Sequence, residues 1–288
     1  MSKNTIVFLD SGIGALPYYL YFKKRNPQNI IYVADRENFP YGPKSKEELV
    51  AILLNLVARI LERCKPAIIV LACNTASISA LPELRKTFSG VLFVGTVPAV
   101  KPAVLAGKTG VIGLLGTERT IEDPCITSLA LKTGKACRIT KIAAPELVEF
   151  IENSFIEADE AEKINIAKSY VSRFRNAGAD AIVLGCTHFL FLLAEFKKAG
   201  GDDIAIFDSV EGVCRRTELL VHNTNKNGII LAEGRGEEIL SDFCTAKNAA
   251  RAEIPDLLLL TGSSAIEEKW GKFADMFHLK TQKFEDFS

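Results

Sequence analysis

The strongest constraint on the fold is a repeat inside the chain. Pro66-Ala67-Ile68-Ile69-Val70-Leu71-Ala72-Cys73-Asn74-Thr75 is echoed by Ala179-Asp180-Ala181-Ile182-Val183-Leu184-Gly185-Cys186-Thr187-His188. Each is an apolar, largely β-branched run that ends in a small residue, a cysteine and a threonine-containing turn. Apolar runs without polar alternation mark strands buried on both faces, the setting of a parallel sheet. A shorter echo pairs Phe8-Leu9-Asp10-Ser11 with Ile206-Phe207-Asp208-Ser209. Two echoes in one chain predict two pseudo-symmetric α/β lobes with mainly parallel sheets and a site in the cleft between them.

The rest of the chain agrees with that frame. Ile6 to Leu9 reads as a buried strand that enters the turn Asp10-Ser11-Gly12-Ile13-Gly14, and Ile30 to Val33 reads as another. Lys46 to Arg63 carries Leu49, Ile52, Leu53, Leu56, Val57 and Ile60 at helical spacing. Strands that alternate with helices argue for parallel α/β architecture. A strand over Thr109 to Leu115 and helices over Glu146 to Ile156 and Ala158 to Ala177 lead to the second cysteine strand. The expected division is residues 1–96 for the first lobe, completed by 208–288, and 97–207 for the second. Asn223 to Gly236 is polar and glycine-containing, and reads as a loop.

Charge and cysteine usage then exclude several classes. Lys plus Arg and Asp plus Glu number 35 each, so no general nucleic-acid or anionic-membrane surface is expected. The first apolar run stops at Asp10, too short for a secretory signal, and no stretch approaches a membrane span. Seven cysteines without an export signal or a CxxC pair predict free thiols in a reducing cytoplasm.

In open α/β sheets ligands bind beyond the carboxyl ends of the strands. Cys73 and Cys186 both stand there, and facing lobes would present their thiols to one cleft. One thiolate and one thiol on opposite sides of a carbon can invert a stereocentre, one removing a proton and the other returning one. A single strand-end cysteine is as often a core thiol as a functional one. Cys64, Cys125, Cys137, Cys214 and Cys244 have no comparable setting and read as core. Asp10 reads as a group that orients a substrate ammonium or assists proton transfer near Cys73, or else as a helix N-cap. His188 reads as the same support beside Cys186, or as a satisfied core imidazole. Gly12 and Gly14 either offer backbone N–H groups to a carboxylate or make a plain tight turn. Cys186 and His188 are too few to make a zinc site.

Four segments together resemble the glutamate racemase family of the cofactor-independent aspartate/glutamate racemase superfamily. They are Phe8-Leu9-Asp10-Ser11-Gly12-Ile13-Gly14, Pro40-Tyr41-Gly42-Pro43-Lys44-Ser45, Ala72-Cys73-Asn74-Thr75-Ala76-Ser77 and Leu184-Gly185-Cys186-Thr187-His188-Phe189. The resemblance implies Cys73 and Cys186 as the acid/base pair, with Asp10, His188 and Glu152 in support. It implies substrate contacts from Ser11, Tyr41, Gly42, Asn74, Thr75 and Thr187. It further implies glutamate as substrate, supply of D-glutamate for peptidoglycan, no pyridoxal phosphate or other cofactor, no metal, and a homodimer. The chain departs from the pattern at Ala15, Ala34, Val97 to Ala99, Ala144, Asp123 and Ile126, and the stretch Asn225 to Asp256 is longer than usual. Two rivals stand beside this reading. One is a hydrolase or amidase with a single nucleophilic cysteine; the other is a catalytically silent amino-acid-binding regulator.

Overall fold

The apolar runs form strands because a central parallel strand buries both faces. In the computed structural model, which describes residues 5–26, 28–227, 256–263 and 265–287, every residue of β1 (Ile6–Asp10), β2 (Ile30–Ala34) and β3 (Ile68–Leu71) is buried. The strands that follow are β4 (Leu92–Gly95), β5 (Val111–Gly116), β6 (Arg138–Ala143), β7 (Ala181–Leu184), β8 (Ala205–Phe207), β9 (Leu257–Leu260) and β10 (Lys280–Lys283). They make two sheets, ordered β10-β9-β2-β1-β3-β4 and β6-β5-β7-β8, and all their pairings are parallel.

The order β2-β1-β3-β4 in the first sheet recurs as β6-β5-β7-β8 in the second. Under that correspondence β3 matches β7, so the longer sequence echo is an equivalence in space. The shorter echo is not. Phe8 to Asp10 belongs to central β1, whose counterpart is β5, whereas Ile206 and Phe207 lie in edge strand β8. Asp208 caps the next helix by accepting from the Val210 amide at 2.9 Å, which is an ordinary turn function. A short apolar strand followed by Asp-Ser is too common a pattern to identify a repeat.

Helices cover the sheets in register with their patterns. The helix Lys46–Cys64 starts at Ser45, whose side chain accepts from the Glu48 amide, and ends where Lys65 turns left-handed at φ 45°. Its Leu49, Leu53, Leu56, Val57 and Ile60 pack on one face of the first sheet with Val7, Leu9, Ile69 and Leu71. The opposite face, with Phe8, Tyr32 and Val70, shares a continuous core with Leu115, Phe174, Ile182 and Leu184 of the second unit. The charged residues of β6 stay exposed because β6 is an edge, where Arg and Lys discourage further pairing. The loop expected from Asn223 begins instead as helix, because the helix Val210–Asn227 runs through it. The remainder of that stretch, with Cys244, lies outside the described residues. No helix among them is long and apolar enough to cross a membrane.

Candidate active site

Strand register places the two cysteines alike. Leu71 pairs with Leu9 in the first sheet and Leu184 with Leu115 in the second, and each cysteine follows two residues later. Cys73 heads the helix Asn74–Thr87, and Cys186 heads a short 3-10 turn over Thr187–Leu192. Both line one cavity of about 680 Å³, and each is 7 % exposed. Ser11, Tyr41, Gly42, Asn74, Thr75, Thr187 and His188 line it as well. Asp10 and Glu152 are buried behind its wall.

The Cys186 side carries a relay. Glu152 Oε1 accepts the Ile13 amide at 2.8 Å and contacts His188 Nε2 at 2.7 Å. A carboxylate oxygen can only accept, so Nε2 carries a proton and Nδ1 faces the Cys186 sulfur at 3.8 Å. Burial alone would lower the imidazole pKa, but Cys186 and Glu152 outweigh it and hold His188 well above its ordinary value.

Cys73 has different company. Burial raises its pKa well above the usual thiol range and the nearby Asp10 carboxylate adds to the rise, while the backbone amides of Ala76 and Thr75 oppose it. Asp10 accepts from the Ser11 amide at 2.6 Å and from Thr187 Oγ1 at 3.0 Å. Burial lifts its pKa to about 6, against the lowering effects of His188, Thr187 and Ser11. Asp10 is therefore bonded across to the second unit and is not a helix N-cap.

The glycine turn does what a plain turn would not. Tyr32 pins it, donating to the Gly12 carbonyl at 2.8 Å and accepting from the Ala15 amide at 3.0 Å. A Cβ at Gly12 would stand 1.9 Å from Glu152 Oε1; one at Gly14 would stand 2.4 Å from Thr187 Oγ1 and 2.6 Å from His188 Nδ1. Only bare backbone lets both units' polar side chains meet there. The Ile13 N–H does go to a carboxylate, but to that of Glu152.

Other expected contacts divide. Both amide atoms of Asn74 are buried at the cavity without a hydrogen-bond partner, which leaves them for a ligand. The Tyr41 hydroxyl is committed to Asp35 at 2.6 Å, in a network that Thr261 and Asn38 complete, so Tyr41 offers the cavity only its body. The sequence gives no site role to this network or to Thr117, whose hydroxyl lies 3.0 Å from that of Thr75 and which lines the cavity. It also passed over Glu146, Glu149 and Asn153, one wall of the cavity on the helix Pro145–Asn153 that carries Glu152. The signal was available for Thr117 in the Thr-x-x-Thr pattern of residues 117 to 120. For the wall residues there was only their place on the Glu152 helix.

The remaining described cysteines do not line this cavity, and Cys125 and Cys137, expected in the core, are only partly buried at its edge. Cys64 and Cys214 are buried, and burial pushes the thiols of both, and of half-buried Cys125, up to about 12. Among the described residues no cluster of three or more His, Cys, Asp or Glu side chains could hold a metal.

Comparison with known proteins finds the following matches. Residues 22–217 match the model of the family described as Asp/Glu/Hydantoin racemase. The glutamate racemase of Roseiflexus sp. (strain RS-1) is 36% identical over 221 residues, 76% of this chain and 80% of that one. That of Treponema pallidum (strain Nichols) is 40% identical over 212 residues, 73% of this chain and 78% of its own. The solved structure of Escherichia coli glutamate racemase, in complex with L-glutamate and activator UDP-MurNAc-ala, superposes with a TM-score of 0.79 at 27% identity, covering 98% of both chains.

Proposed function

The chain belongs to the Asp/Glu/hydantoin racemase family, and from that premise we propose that it is a glutamate racemase working without a cofactor. The observation that carries the reading is a single cavity lined by two strand-end cysteines, one from each sheet. Removal of the α-proton by one sulfur as thiolate, and return of a proton by the other as thiol, inverts the α-carbon and exchanges the roles of the two groups. Run backwards, the same steps convert the other enantiomer.

His188 supports the Cys186 half: with its pKa held well above the ordinary value the ring is protonated, so its Nδ1–H can donate to the Cys186 sulfur, and Glu152 holds the ring in place. Asp10 supports the Cys73 half. The α-proton of an amino acid is so weakly acidic that most of the rate must come from donors fixed around the developing carbanion in a water-poor cavity. The cavity wall offers neutral donors for carboxylates, from Ser11, Asn74 and Thr75, together with the amides heading the helix Asn74–Thr87. Thr187, whose hydroxyl proton goes to Asp10, presents its oxygen to the cavity as an acceptor. Gly42 and the body of Tyr41 give shape to that wall.

Glutamate as substrate is supported by the names of the relatives; supply of D-glutamate for peptidoglycan, a cytoplasmic location and a homodimer belong to the proposal as what the family resemblance implies. The division into lobes at residues 1–96 with 208–288, and 97–207, is supported by the sheets: β1–β4, β9 and β10 fall in the first span and β5–β8 in the second. The test is racemisation of each glutamate enantiomer by purified protein without added cofactor, with aspartate as control. Interconversion of both enantiomers of glutamate is expected. Hydrolysis of an amide substrate, or binding without turnover, would favour the rival readings.

A further inference from the structure

The cavity has a rim as well as a floor. At the floor, hydrogen bonds join the two units: Thr187 Oγ1 to Asp10 at 3.0 Å, the Ile13 amide to Glu152 at 2.8 Å, and Thr75 with Thr117 at 3.0 Å and with Thr120 at 3.4 Å. Further out, Arg119 in the short helix Glu118–Glu122 donates from Nε to the backbone carbonyl of Lys44 at 2.7 Å. That carbonyl belongs to the turn 41–45, whose Gly42 and Pro43 line the cavity together with Thr117 and Glu118. A Cβ added at Gly42 would lie 3.5 Å from Thr117 Cβ, so the turn stands about one methyl group from the residue that heads the helix.

Behind this junction Cys73 and Cys186 are each 7 % exposed and Asp10 is fully buried. Parting the junction widens access to them, and the bond from Arg119 to the Lys44 carbonyl is a polar contact that must break for turn and helix to separate. The donor is a cation with fixed planar geometry and the acceptor a main-chain oxygen, so the bond is directional as well as charge-assisted. Arg119 also shares the wall of a hollow of about 290 Å³ with Glu118, Glu122 and Asp123. When it leaves Lys44, carboxylates stand in the same hollow to receive its charge. Two arrangements of similar free energy are what an opening element needs.

We propose that Arg119 is a positioning residue, a clasp that holds the turn 41–45 against the helix Glu118–Glu122 and sets how readily the cavity opens. Its kinetic consequence rests on the reading of this cavity as the glutamate site, but the clasp itself is testable without substrate. Wild-type protein and R119A, both full length, are treated with iodoacetamide, and labelling is followed cysteine by cysteine by mass spectrometry. Cys73 and Cys186 are expected to label about five- to tenfold faster in R119A, the range that loss of one partly exposed hydrogen bond supports. Cys64, buried in the core at the end of the helix Lys46–Cys64, is expected to keep its rate. Unchanged labelling of Cys73 and Cys186 would overturn the proposal, and so would equal acceleration at Cys64, which marks loosening of the whole fold. In the racemase assay R119A should raise KM for both enantiomers by a similar factor while kcat stays within about twofold; a fall in kcat alone would contradict the clasp. Absence of racemisation by the wild type would remove the glutamate reading and leave the labelling result to decide the clasp.

Discussion

Cys73 and Cys186 stand at equivalent points of two matching strand arrangements, yet their surroundings differ in kind. Cys186 has a side-chain relay, with His188 against its sulfur and Glu152 against His188, and a backbone amide from the other unit fixes the carboxylate. Cys73 has a helix end, deep burial and the field of Asp10. A scaffold repeat thus supplies matched positions, while the chemistry of each half is set locally by whatever the neighbouring loops bring. Interconversion of two enantiomers needs both halves to work, but nothing requires them to be tuned in the same way.

The largest expected effects come from the sulfurs themselves. C73S and C186S should each lower racemisation by about 10³-fold, since an alcohol is a far poorer acid/base partner than a thiol. Loss in only one of the two, measured as kcat/KM, would break the comparison and favour a single nucleophile. Next comes the turn between the halves. G14A drives a methyl into Thr187, His188 and Asp10 together, and a displacement of that kind should reduce kcat by about 10²-fold. Its far-UV circular dichroism should stay native. G90A, where an added Cβ meets nothing within 4 Å, should match the wild type in both measurements.

A smaller effect separates the halves directly. E152Q keeps an acceptor for Ile13 but removes the charge facing His188, and should lower kcat by about ten- to a hundredfold. Because the relay serves Cys186, the primary isotope effect with α-deuterated glutamate should rise for one enantiomer and not for the other. Equal increases for both would show that Glu152 supports the site as a whole.

The smallest effect is on pH dependence. Asp10, with its pKa raised to about 6, should give kcat/KM an acid limb near that pH, and D10N should lose the limb. Stability changes in the opposite sense. A carboxyl whose folded pKa exceeds its unfolded value contributes most below pH 3.8, and that contribution is lost as pH rises through about 6. At pH 8, D10N should therefore be more stable than the wild type by about 2–3 kcal/mol in urea unfolding.

The parts legible in sequence were those with local periodicity. The apolar runs of β1, β2 and β3 and the stripe of Leu49, Leu53, Leu56 and Ile60 follow from residue pattern alone, because burial of a strand or a helix face leaves a regular trace. The cysteine pair was legible because each thiol ends such a run. The bond between Glu152 and His188 was not, since 36 residues separate them and only the packing of two helical segments brings them together. Tyr41 stood out as a cavity residue, but its hydroxyl is taken by Asp35, a buried acid whose partners come from three segments. The second echo misled because Asp-Ser after a short apolar strand is common, and register, which distinguishes β1 from β8, is invisible to such a match. The necessity of Gly12 and Gly14 is likewise spatial, for it lies in side chains more than a hundred residues away.

The most direct test of the two-sulfur account is a short incubation of L-glutamate with the enzyme in deuterium oxide. Two separate groups, one removing a proton and the other supplying one that has exchanged with solvent, predict that the first D-glutamate formed carries deuterium at the α-carbon. The unreacted L-glutamate keeps its hydrogen. First-formed D-glutamate that retains the original hydrogen would mean that one group works on both faces, and would contradict the account.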